Sequence, residues 1–139
     1  MTTPLAAALG RYEGEGTWRD ETGESQTYTV EMTLSARDGD GLTIAYRHVF
    51  AADDEPDVAL SIDLRCDAPS ILSFELPGLP VKGRGYHSGD FLHYTIPIPG
   101  NAVEVTLFVT ADGARLAGSS QKNSAGRYIM WEERLKKTA

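Results

Sequence analysis

The chain carries one cysteine, Cys66, so no internal disulfide can staple it, which fits a reducing compartment. Long apolar runs are also missing. The start, MTTPLAAALG, has only five apolar residues in a row, Leu5 to Leu9, and no basic segment before them. That is too short and wrongly flanked for a signal peptide, and no later run could span a bilayer. The expectation is a cytoplasmic protein with no membrane partner. Positive charge is scarce: 13 Lys and Arg against 20 Asp and Glu leave a net charge of -7. Such a field repels a phosphate backbone, which argues against nucleic acid as a partner. Catalytic signatures are absent as well. There is no Gly-x-Ser-x-Gly elbow, no His-Glu-x-x-His, no Cys-x-x-Cys and no Gly-rich phosphate loop. His87 and His93 flank a turn without a third ligand, and RDGDG (37–41) lacks the closing glutamate of a calcium loop, so no metal site is expected.

What the chain does have is a period of two. QTYTVEMTLS sets Tyr28, Val30, Met32 and Leu34 on one face against Thr27, Thr29, Glu31 and Thr33 on the other. LTIAYRHVF aligns Leu42, Ile44, Tyr46, His48 and Phe50; VALSIDLRC aligns Val58, Leu60, Ile62, Leu64 and Cys66; AVEVTLFVT aligns Val103, Val105, Leu107 and Val109. These are half-buried strands. Turn signals such as ETGES, RDGDG, DAPS, SGD and ADGA separate nearly all of them. The 139 residues fit one domain, 1–139, with about ten short strands. The predicted fold is all-β, an up-and-down antiparallel barrel of roughly ten strands, preceded by a short helix that Thr3 caps, Pro4 starts and Gly10 ends. A barrel of more than about eight strands is too wide for its own side chains to fill, so an internal cavity is expected. A sandwich with a solid core is the alternative.

GRYEGEG (10–16) is unusual inside a strand, because glycine weakens a strand interior. Tyr12, Gly14, Gly16 and Trp18 share one face, while Arg11, Glu13, Glu15, Thr17 and Arg19 share the other. The charged face suits solvent, which turns the glycines inward. There they allow a sharp bend or leave room beside Trp18.

The order of a short helix, Gly-x-aromatic-x-Gly-x-Gly, YTVEMTLS, a turn and LTIAYRHVF resembles the start of nitrobindin-like proteins. Those belong to the calycin superfamily, with lipocalins and fatty-acid-binding proteins. The motifs cover about the first fifty residues; beyond them the resemblance is in strand count and a closing ERLKK strand. The resemblance implies a ten-stranded calycin-like barrel that, in nitrobindins, holds ferric haem and is linked to nitric oxide and peroxynitrite chemistry. Tyr12 stands where the family usually has tryptophan. The family's haem-ligating histidine sits at or just before the last strand, yet NSAGRYIMWEERL has no histidine, and Tyr128 occupies that neighbourhood. A tyrosine can ligate ferric haem. The resemblance carries the fold here and not the haem, so no cofactor is expected.

Tyr46 and His48 share the predicted cavity face, where an imidazole and a phenol need hydrogen-bond partners that a ligand could supply. The other reading is a rim histidine satisfied by backbone or water. In PVKGRGYH, Lys82, Arg84 and Tyr86 alternate with Val81, Gly83, Gly85 and His87. If the first set faces inward, the barrel offers a cationic site for a carboxylate; if it faces outward, the three are solvated. On the last strand Trp131 is expected near Trp18, and Glu132 and Arg134 share the other face, where they could pair either inside or outside the wall. The expected function is non-enzymatic binding of a small, mostly apolar ligand, with an acid group if Arg84 looks inward. Its lining would be Trp18, Tyr28, Met32, Ile44, Tyr46, His48, Leu60, Ile62, Phe74 and Met130, with Arg84 and Tyr86 at the polar end. The alternatives are a haem-binding, nitrobindin-like peroxynitrite isomerase, a cofactor-free isomerase using His48 and Tyr46, and a structural module with a filled barrel. A homodimer is compatible with all of these.

Overall fold

The computed structural model describes residues 5–51, 57–76, 82–98, 101–122 and 126–139. They form ten strands: β1 Gly10–Asp20, β2 Ser25–Ala36, β3 Leu42–Phe50, β4 Val58–Ala68, β5 Ile71–Glu75, β6 Lys82–Ser88, β7 Phe91–Ile98, β8 Asn101–Val109, β9 Gly113–Lys122 and β10 Tyr128–Lys137. Every strand pairs antiparallel with its sequence neighbours, and β1 pairs with β10 to close the barrel. Short polar turns make this meander the natural outcome, and closure leaves no edge strand among the described residues. The solid-core sandwich is thereby excluded.

The expected N-terminal helix is a single 3-10 turn, Ala6–Ala8, and the cap residues Thr3 and Pro4 lie outside the described residues. Leu5 and Ala8 are buried in the core, and the Tyr12 hydroxyl donates to the Ala8 carbonyl at 2.5 Å. The turn thus covers the barrel end from which β1 starts. Next to it, Leu34, Leu42, Ile44, Ile62, Leu64, Leu72, Leu92 and Leu107 are at most 1% exposed. Each such side chain contributes about 1.5–3 kcal/mol on leaving water. Phe74 and Tyr94 meet edge to face at 5.7 Å and complete this packed portion. Ten strands do leave more width than aliphatic side chains fill, and here large rings take up part of it.

The inward face of β1 carries the glycines, as its alternation requires. A Cβ at Gly14 would lie 1.9 Å from the Arg134 carbonyl oxygen, so β10 approaches β1 too closely for any side chain. Trp18 lies directly opposite Trp131 in the β1–β10 register. Near the start of β10 the register with β9 shifts between Ile129 and Met130. Ile129, Trp131, Glu133 and Leu135 are the more buried set of this strand, while Tyr128, Met130, Glu132 and Arg134 are exposed.

Candidate ligand site at the open end of the barrel

Four strands bring one polar cluster together. Gly16 on β1 sits opposite Tyr28 on β2 and opposite Glu133 on β10. The Tyr28 ring lies over Gly16: a Cβ there would be 2.4 Å from its Cζ. Because nothing at position 16 blocks it, the Tyr28 hydroxyl crosses β1 and donates to Glu133 Oε2 at 2.8 Å. His48 Nε2, from β3, reaches the same oxygen at 3.1 Å. Tyr46 stacks on His48 with ring centroids 4.8 Å apart, and Tyr28 packs on its other neighbour side at 4.7 Å. The Glu133 side chain is only 2% exposed and that of His48 16%. No described residue donates to Glu133 Oε1.

Burial shapes the acid–base character of this cluster. It pushes the Tyr28 phenol far up, and the nearby Glu133 charge adds to that effect. For the same two reasons, burial first, Tyr46 is pushed up to about 12. Tyr94, deeper still, is raised well above its ordinary value by burial. All three phenols are therefore neutral at physiological pH.

Above the cluster the barrel opens into a cavity of about 520 Å³ lined by Trp18, Tyr28, Tyr46, His48, Phe50, Val58, Ile96, Val103, Arg127, Ile129 and Trp131. A recess of about 60 Å³ shares Tyr46, His48, Ile96, Val103 and Trp131 with it and reaches Met32, Tyr94 and Glu133. The Trp131 indole rests over Gly118, where a Cβ would come within 2.4 Å of it. At the rim, Arg127 pairs with Asp20, whose other oxygen accepts from the Thr22 amide at 2.9 Å and the Thr22 hydroxyl at 2.6 Å. The Thr22 hydroxyl first, and Arg127 after it, hold the Asp20 carboxyl down at about 2.

Of the residues expected from sequence, Trp18, Tyr28, Met32, Tyr46 and His48 line these two spaces. Ile44, Ile62 and Phe74 are instead fully buried in the packed core, and Leu60 is half-buried against it. Three placements need correction. Arg84 and Tyr86 lie on the outer wall with Lys82, all three exposed, because Gly83 is the buried position of β6. The Phe74 ring occupies the space a Cβ at Gly83 would need. The Tyr86 ring packs outside, edge to face with Phe91 at 5.9 Å. Met130 is 41% exposed, in phase with Tyr128 rather than with Trp131. Of the two alternatives for Lys82, Arg84 and Tyr86 the outward one holds, and the recess carries a carboxylate, Glu133.

Sequence reasoning missed Glu133, Tyr94, Asp20 and Arg127. For Glu133 the signal was present: it alternates in phase with Trp131 and Leu135. The haem implied by the resemblance does not fit these residues. Tyr128 is 45% exposed on the outer face, and the cavity imidazole, His48, has its Nε2 3.1 Å from Glu133 Oε2. Among the described residues no group of three His, Cys, Asp or Glu side chains could hold a metal ion.

No family model matches the chain, and no curated protein does. Solved structures share its architecture. The S-type phycobiliprotein lyase CpeS from Guillardia theta superimposes with a TM-score of 0.73 at 9% identity, covering 94% of this chain and 88% of the lyase. Rv2717c from M. tuberculosis gives 0.69 at 17% identity, with 97% and 95% covered. A DUF3598-family protein of unknown function from Nostoc punctiforme gives 0.72 at 10% identity; the match takes in 98% of this chain but 50% of that one. At these identities the likeness is one of fold, a calycin-like ten-stranded barrel.

Proposed function

We propose that this barrel binds a small, largely apolar molecule at its open end, with the molecule's polar group seated on Glu133. One observation carries the reading. A carboxylate 2% exposed sits at the floor of an aromatic-walled cavity with one oxygen that no described side chain engages. Burying a carboxylate is costly unless its hydrogen bonds are met, and an aliphatic residue would have filled the same position more stably. Convergent polar groups in an otherwise apolar pocket are the usual form of a small-molecule site. A phycobiliprotein lyase among the structural neighbours is consistent with a barrel that handles small ligands. The nitrobindin resemblance contributes the barrel to this reading and not its haem. The test is native mass spectrometry of protein purified from cells, followed by titration with the neutral probe Nile red, monitored by its emission and by quenching of Trp18 and Trp131. Saturable binding that weakens when Trp131 is replaced by Ala supports the site. No co-purified ligand and no saturable probe binding would sink it.

A further inference from the structure

We infer that the polar group received at Glu133 is an organic cation, a protonated amine, and not a carboxylic acid; this rests on the ligand-binding reading above. One donor already meets Glu133 Oε2, the Tyr28 hydroxyl at 2.8 Å, and His48 Nε2 stands 3.1 Å from the same oxygen. Tyr28 makes its bond as a neutral phenol, so that bond brings no positive charge to the carboxylate. Oε1 is left for a donor that enters from the recess. A carboxylic acid there would place a second anion against the first, where the low local dielectric makes repulsion severe. A hydroxyl could meet Oε1 but brings no charge of its own, whereas an ammonium supplies both the donor and the charge.

The walls agree. Tyr46 and Trp131 border the recess and the cavity alike, and Trp18 and Phe50 stand higher up. Aromatic faces attract a cation within about 6 Å, most strongly where water is excluded. Arg127, the cation at the rim, is joined to Asp20 and so offers an incoming amine a neutral pair. The net charge of -7 favours the approach of cations over anions.

Decylamine, decanol and decanoate share one chain and differ only in the head group. Titrated into the whole protein at neutral pH and low salt, with tryptophan fluorescence as readout, decylamine should bind about ten- to a hundredfold more tightly than decanol. Decanoate should bind more weakly than decanol. Glu133→Gln should erase the amine's advantage over decanol, and Arg84→Met, on the outer wall, should leave all three as in wild type. If Glu133→Gln fails to fold by circular dichroism, the wild-type ranking alone still decides. Equal affinities, or decanoate the tightest, would overturn the cation while leaving the binding site in place. Nile red and all three amphiphiles failing to bind would overturn the site itself.

Discussion

Replacing Gly16 with alanine adds one methyl at the point where the Tyr28 ring crosses β1. The new Cβ would stand 2.4 Å from Tyr28 Cζ and 2.7 Å from its hydroxyl oxygen, well inside any tolerable contact. Backbone cannot yield, since Gly16 is paired on both sides, to Tyr28 and to Glu133. The ring must therefore rotate away. Overpacking of this kind costs about 1–3 kcal/mol. The displaced hydroxyl also abandons Glu133, and a hydrogen bond to a charged group contributes about 1.5–3 kcal/mol. The two losses overlap, so we expect a total near 3 kcal/mol. For a chain of this size that lowers Tm by about 10 °C. Tyr28→Phe keeps the ring and deletes the hydroxyl, so it should cost the hydrogen-bond part alone. In a cycle with Tyr28→Ala, the alanine at 16 should cost far less, because the ring it collides with is gone. Thermal and urea denaturation of the five proteins measure this directly. A Gly16→Ala protein within about 0.5 kcal/mol of wild type, or costs that simply add in the double variant, would refute the crossing of Tyr28 over Gly16.

Other outcomes follow from the same geometry. Asp20 has a folded pKa of about 2, below its ordinary 3.8, so its contribution is present above about pH 4 and is lost as pH falls toward 2; Asp20→Asn should flatten the acid limb of a stability–pH curve over that window. Tyr46, raised from 10.0 to about 12, works in the opposite sense: its contribution is complete below pH 10 and disappears as pH rises through 12. Tyr46→Phe should therefore lessen alkaline destabilisation, as followed by circular dichroism. Gly118→Ala would set a Cβ 2.4 Å from the Trp131 indole; it should move that ring, shift the tryptophan emission and weaken Nile red binding at least severalfold.

The strands were legible because most of them have one apolar and one polar face. LTIAYRHVF coincides with β3, and QTYTVEMTLS falls inside β2, since alternation of this kind has one reading. Legibility failed on β6, where both faces are mixed. Charge and aromaticity made Lys82, Arg84 and Tyr86 look like a site, while the more buried face was marked by Gly83, Gly85 and His87, none of them strongly apolar. Glycine has no hydrophobicity to announce that it faces a core. Glu133 was overlooked for the complementary reason. An acid on a strand suits solvent so generally that its phase with Trp131 and Leu135 carried too little weight. Nor could alternation separate cavity from core. His48 and Ile44 share the inward face of β3, yet one borders open space and the other is sealed. That difference depends on how many large rings arrive from other strands.

Three inward glycines show how those rings arrive. Gly16 lies under Tyr28, Gly83 under Phe74 and Gly118 under Trp131, and each ring comes from the adjacent strand in direct register. Adjacent strands are about 4.8 Å apart, so a ring leaning over a glycine moves its far end beyond the neighbouring strand. Phe74 uses that reach to meet Tyr94 and fill the core. Trp131 uses it to form cavity wall. Tyr28 carries a hydroxyl at the far end and delivers it to a carboxylate two strands away. One device thus decides where the barrel is solid, where it is open and where it is polar. GRYEGEG keeps position 16 small so that a tyrosine from the next strand can hold Glu133 in place at the floor of the cavity.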